Sequence, residues 1–107
     1  MEFLNKIEIR GIVGNVAIHK VGDSALARVS VATDYAYKDR SGAQLIDTTW
    51  FNVIIWERSD AKSSINEIKK GSKIYVEGRV RLTRFTDNNG VDRSVWEIVA
   101  RKWNLEG

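Results

Sequence analysis

The chain has 107 residues, 43% hydrophobic and 29% charged, with 17 Lys and Arg against 14 Asp and Glu, a single His, and neither Cys nor Pro. That length fits one compact domain over residues 1–107. The missing cysteines exclude disulfides, thiol nucleophiles and Cys-based zinc sites, and no apolar run approaches membrane-spanning length, so a soluble, cytoplasmic protein is expected.

Period-two patterning dominates, the mark of strands. Asn5 to His19 carries Ile7, Ile9, Ile12, Val13, Val16 and Ile18, with Gly11 and Gly14 where a long first strand can bend or bulge. After the turn chemistry of Val21-Gly22-Asp23-Ser24, Leu26 to Thr33 puts Ala27, Val29 and Val31 on one face and Arg28, Ser30 and Ala32 on the other. Asp34 to Asp47 is polar around Lys38-Asp39-Arg40-Ser41-Gly42 and predicts a long exposed hairpin loop.

Thr48 to Trp56 is a third strand, with Phe51, Val53 and Ile55 on one parity and Trp50, Asn52, Ile54 and Trp56 on the other. From Ser59 to Lys70 the spacing of Ala61, Ser64, Ile65 and Ile68 turns helical, with Asp60 to cap its start and Gly71 to end it. Ser72 to Thr86 and Val91 to Trp103 are strands four and five, joined by Asp87-Asn88-Asn89-Gly90, whose Asn-Gly pair is a hairpin signal. Three strands, one α-helix and two more strands is the order of an all-β, five-stranded OB-fold barrel with the helix between strands 3 and 4.

Charge and aromatics point to a polyanion that also stacks. From Lys69 to Arg84 there are six basic residues against Glu77 alone, so this segment carries +5 and the remainder −2. Trp50 and Trp56 point the same way along strand three, roughly 20 Å apart at strand rise. Since Phe51, Val53 and Ile55 already supply an inward face, the two indoles are candidates to stack bases. Phe85 shares parity with Arg79, Arg81 and Thr83, which places it beside guanidiniums rather than in the core. Tyr37, two residues after Tyr35, precedes Lys38 and Arg40 in the predicted loop. Trp96 alternates with Ile98 and Ala100 and reads as core, whereas Trp103 suits either barrel closure or a subunit contact. Catalysis has little support: His19 is the sole imidazole, no Gly-rich phosphate loop is present, and Asp34, Asp39 and Asp47 match no metal-ligand spacing. Neither a catalytic residue nor a metal or cofactor is expected.

Three stretches give the chain a family likeness: Asn5-Lys6-Ile7 through Val13-Gly14-Asn15-Val16; Val31-Ala32-Thr33 with Thr49-Trp50-Phe51-Asn52-Val53; and Lys70-Gly71-Ser72 to Gly78-Arg79-Val80-Arg81 with Thr86-Asp87-Asn88-Asn89-Gly90. Together they resemble the bacterial single-stranded DNA-binding protein family over nearly the whole chain. The resemblance implies base-stacking aromatics at Tyr37, Trp50, Trp56 and Phe85 and phosphate contacts at Arg40, Arg58, Lys70, Arg81 and Arg84. It implies a homotetramer, a dimer being the alternative, with Ile7 and Ile9 of the first strand, Phe51 and Tyr75 near subunit contacts. Phe51 departs from the polar His that many members carry there.

Members usually continue into a Gly- and Pro-rich tail with an acidic tip that recruits replication and repair enzymes. This sequence ends at Leu105-Glu106-Gly107, so either a tail is missing from it or the protein does not recruit in that way. The expected function is sequence-tolerant binding of single-stranded DNA, without enzyme activity, in the nucleoid-associated cytoplasm of a bacterium, protecting exposed strands in replication, recombination and repair. Alternatives are a primosome-type OB-fold adaptor, a protein-interaction OB domain using Trp50, Trp56 and Tyr75, and an RNA-binding OB domain.

Overall fold

The computed structural model describes residues 1–58 and 64–107. Five strands, β1 (Ile7–Val21), β2 (Ser24–Lys38), β3 (Gln44–Trp56), β4 (Lys73–Thr86) and β5 (Asp92–Glu106), close into a barrel in the order β1-β2-β3-β5-β4. All pairs are antiparallel except β3 with β5, a parallel contact limited to Val53–Ile98 and Ile54–Val99. This is the OB-fold barrel expected from the strand order.

Alternation builds the interior. Val13, Val31, Val53, Ile55, Ile74 and Val76 are almost fully enclosed, each from the inward parity of its strand. The glycines of β1 act as their positions suggest: the β1–β2 register slips between Val13 and Val16, so Gly14 and Asn15 form a bulge at the barrel rim. A second slip, between Glu77 and Gly78 of β4, leaves Arg101 of β5 as the extra residue.

Three expectations change. The segment 34–47 is not a loop: β2 and β3 stay paired out to Lys38–Gln44, and only Asp39 to Ala43 turns. Its polarity reflects a ribbon that leaves the barrel and is wetted on both faces. In the turn, Asp39 Oδ1 accepts from Ser41 N at 2.8 Å and from Ala43 N at 3.0 Å.

The predicted helix is, among the described residues, a single 3-10 turn at Ile65–Glu67; Asp60 and Ala61 lie outside the described residues. Ser64 Oγ accepts from Asn66 N at 3.1 Å, and Glu67 Oε2 accepts from Ser64 N at 2.6 Å. Ile68 is already extended, with φ −76° and ψ 119°. Both Ile65 and Ile68 are 2% exposed within the core cluster, and a 3-10 turn sets residues three apart on one side without a longer helix.

Trp96 is not core. It shares the inward parity of Ile98, yet it and its cross-strand partner Leu82 stand where the β4–β5 hairpin has run past the barrel, and Trp96 is 63% exposed. Trp103 instead pairs with Val76 and packs on the core.

Candidate nucleic-acid interface

On β2 and β3 the outward parity aligns Arg28 with Ile54, Ser30 with Asn52 and Ala32 with Trp50. On β4 and β5 it aligns Arg81 with Glu97, Thr83 with Val95 and Phe85 with Arg93. These faces meet in a groove of about 610 Å³, which β1 closes on one side with Asn15 of the bulge and the following Val16 and Ala17. Bulged strands re-aim side chains at such rims, and here the bulge also admits an aromatic. A Cβ on Gly14 would lie 2.5 Å from Trp50 Cζ3 and 2.9 Å from Ser30 Oγ, so the indole rests on bare backbone. Trp50 remains 60% exposed above that seat.

Phe85 forms part of the groove wall and is about half exposed. Trp56 is exposed at the far end of β3, opposite Leu26. Tyr37 pairs with Leu45, a position of opposite parity to Trp50, so it occupies the other face of the projecting ribbon. There its ring stacks on Tyr35 at 6.4 Å between centroids. The structure thus places Trp50, Trp56 and Phe85 on the outward sheet face and Tyr37 on the reverse of its arm.

The cations divide similarly. Arg40 is exposed in the β2–β3 turn, Lys70 is exposed before Gly71 (φ 89°), and Arg84 is exposed on the β4–β5 hairpin with no ion pair among the described residues. Arg58 donates to the Arg101 carbonyl at 3.4 Å, beside a second hollow that Lys6, Arg79 and Arg101 also line. Arg81 is not free: its Nη2 lies 3.4 Å from Glu97 Oε1, and its buried Nε has no hydrogen-bond partner among the described residues.

Sequence reasoning missed the groove floor. The Glu97 side chain is 4% exposed; its Oε2 accepts from Arg28 Nη1 at 2.9 Å and its Oε1 from Thr83 Oγ1 at 2.6 Å. Burial pushes this carboxyl up, but Thr83, Arg28 and Arg81 together outweigh it and hold the pKa below the ordinary value. The available signals were a lone acid between Trp96 and Ile98 and an Arg on the outward parity of β2.

Of the residues expected at subunit contacts, Ile9 is buried in the core, and Ile7 and Phe51, partly buried, pack against it. Tyr75 is half-buried on the outer face of β4, its hydroxyl donating to Glu8 Oε2 at 2.6 Å and its ring 5.5 Å below the Arg10 guanidinium. No group of metal-ligating side chains occurs among the described residues, and no described helix is long and apolar enough to cross a membrane.

A closed barrel in this strand order, with an outward groove lined by Phe85, Arg28 and the buried Glu97, defines the chain as an OB-fold protein. Residues 4–105 match the model of the Single-strand binding protein family, and the chain belongs to that family. It is 29% identical over 106 residues to a single-stranded DNA-binding protein of Neisseria meningitidis, covering 97% of this chain and 60% of the relative. Against one from Xanthomonas campestris pv. campestris the figures are 32%, 97% and 61%. The chain therefore spans about three fifths of the length of these relatives. Among solved structures, the Plasmodium falciparum SSB complex with ssDNA superposes with a TM-score of 0.81 at 25% identity, covering 98% of this chain and 95% of that one. A deletion mutant of the single-stranded DNA binding protein from Thermus aquaticus shares the fold, with a TM-score of 0.78 at 19% identity over 97% of this chain and 51% of that one.

Proposed function

We propose that this barrel binds single-stranded DNA without strong sequence preference, stacking bases on Trp50, Trp56 and Phe85 while Arg84, Arg81, Arg58, Lys70 and Arg40 neutralise phosphates. The observation that carries the reading is Trp50, seated against Gly14 and largely exposed on the same sheet face as the groove whose wall carries Phe85. Tyr37 joins if the strand wraps around the β2–β3 arm. Family membership and the likeness to a protein solved with ssDNA support the same ligand.

The proposed role is protective coating of exposed strands during replication, recombination and repair in a bacterial cytoplasm, with no chemical step. The proposed assembly is a homotetramer. Its contacts would lie around β1 and Tyr75, where Ile12 is an exposed apolar side chain on the same outer face. Light scattering on the purified protein decides between one, two and four copies.

Titrating intrinsic tryptophan fluorescence with oligo-dT at low and then high salt tests the central reading. Strong, saturable quenching that weakens as salt rises is expected; unchanged fluorescence and no binding at low salt overturn it. The rival contact patch of Trp50, Trp56 and Tyr75 is less favoured, because Tyr75 belongs to β4, which β5 separates from β3, and its hydroxyl is engaged by Glu8.

A further inference from the structure

At the floor of the groove lies an arginine whose orientation is fixed from behind. Arg28 spends Nη1 on the buried Glu97, while its Nε and Nη2 have no partner among the described residues and its side chain is 52% exposed on the groove side. Glu97 is itself immobilised by Thr83, so the guanidinium is presented edge-on. The surroundings do not suit a phosphate. Val16, Ile54, Val95 and Phe85 make the walls mostly apolar, and Glu97, which Arg28 shares with Arg81, offsets part of the charge behind them. Such a pocket favours a flat, uncharged group with two hydrogen-bond acceptors on one edge. Of the two purine bases, guanine alone offers that pattern on its N7 edge, through O6 and N7, the pair an arginine fork reads bidentately. Asn52, on the outward face beside Ile54, adds an amide within the same groove.

We propose that Arg28, positioned by Glu97, reads the O6/N7 edge of one guanine, so that the groove holds a guanine-preferring subsite within an otherwise sequence-tolerant path. This rests on the single-stranded DNA reading above. Stacking rings accept any base; the fork at the floor distinguishes among them.

The test uses the intact protein and oligonucleotides of about 16 nucleotides, the upper end of the site size of an OB fold. Oligo-dT is compared with the same strand carrying isolated dG, deoxyinosine or 7-deaza-dG, in lithium buffer so that guanines do not associate. Inosine keeps O6 and N7; 7-deazaguanine lacks N7. The expected order is dG and inosine tighter than dT by about five-fold, the lower end for a bidentate arginine–guanine pair, with 7-deaza-dG close to dT. In Arg28→Met the ratio of dG to dT affinity falls to one, whatever happens to dT affinity itself. In Glu97→Gln, which keeps the side-chain volume but frees the fork, the ratio shrinks.

Equal affinity for all four strands overturns the proposal, as does a preference that survives Arg28→Met. A lower salt slope in Arg28→Met with no base preference in the parent protein assigns Arg28 to phosphate and also overturns it. Failure to bind oligo-dT at low salt removes the single-stranded DNA reading itself.

Discussion

Trp50 and Gly14 form one unit: the indole occupies the space a side chain at position 14 would need, with only 2.5 Å between a built Cβ and Trp50 Cζ3. Gly14→Ala must therefore lift the ring or open the β1 bulge. Oligo-dT binding should weaken by about 1 kcal/mol, towards the low end for one stacked base, whereas Trp50→Ala should cost ~1–3 kcal/mol. Neither change should alter the salt slope. Fluorescence titration at several salt concentrations checks both, and an unchanged affinity in Trp50→Ala would remove the ring from the binding surface.

Arg84 and Arg81 should differ although both are arginines on β4. Arg84 has no ion pair among the described residues, so Arg84→Ala should lower the slope of log K against log salt by about 0.7, the value for one phosphate contact on a single strand. Arg81 shares Glu97 with Arg28. Its loss should lower the slope less, and Glu97→Gln, which frees both guanidiniums, should make it steeper.

Glu97 also predicts an acid limb. Its folded pKa is depressed despite burial, so the unfolded chain binds its proton first as pH falls through the ordinary carboxylate range. The stability it confers is complete above that range and drains away as pH drops through the lower folded value. Asp87, held low by Arg93 and by the amides of Val91 and Asn89, shifts in the same direction. Thermal melts should stay flat on this account from pH 7 to about 5 and fall below about pH 4. Glu97→Gln should flatten part of that fall.

Gly78→Ala should be a strongly damaging small substitution. A Cβ there would meet Val99 O at 2.1 Å, Val99 C at 2.9 Å and Ala100 Cα at 3.0 Å, all backbone atoms that cannot swing aside. A loss of about 3 kcal/mol, at the upper end for overpacking, should show as a lower urea midpoint.

What the sequence made legible follows the water. Inside the barrel each strand has one dry face, so period two located β1 to β5 and put Phe51, Val53 and Ile55 inward. Where ribbons leave the barrel that contrast vanishes, so the paired arm from Asp34 to Lys38 reads as a loop and Trp96 reads as core. The site divides in the same way. Trp50, Trp56 and Phe85 could be found from parity within single strands, but the Arg28–Glu97 pair joins residues 69 apart in sequence, which no local pattern reveals.

The extra residue at Arg101 resets which parity of β5 faces the groove. Before it, Ile98 points inward and Glu97 outward; after it, Trp103 points inward although its numbering parity is that of Glu97. Deleting that one residue would ask the strand to choose. Keeping Trp103 in the core would turn Glu97 and Val95 inward and expel Ile98, whereas keeping Ile98 would put Trp103 in water. Barrel and groove are thus compatible on a single strand only because its phase is reset midway, making this position a point where the evolution of the groove is tied to that of the core.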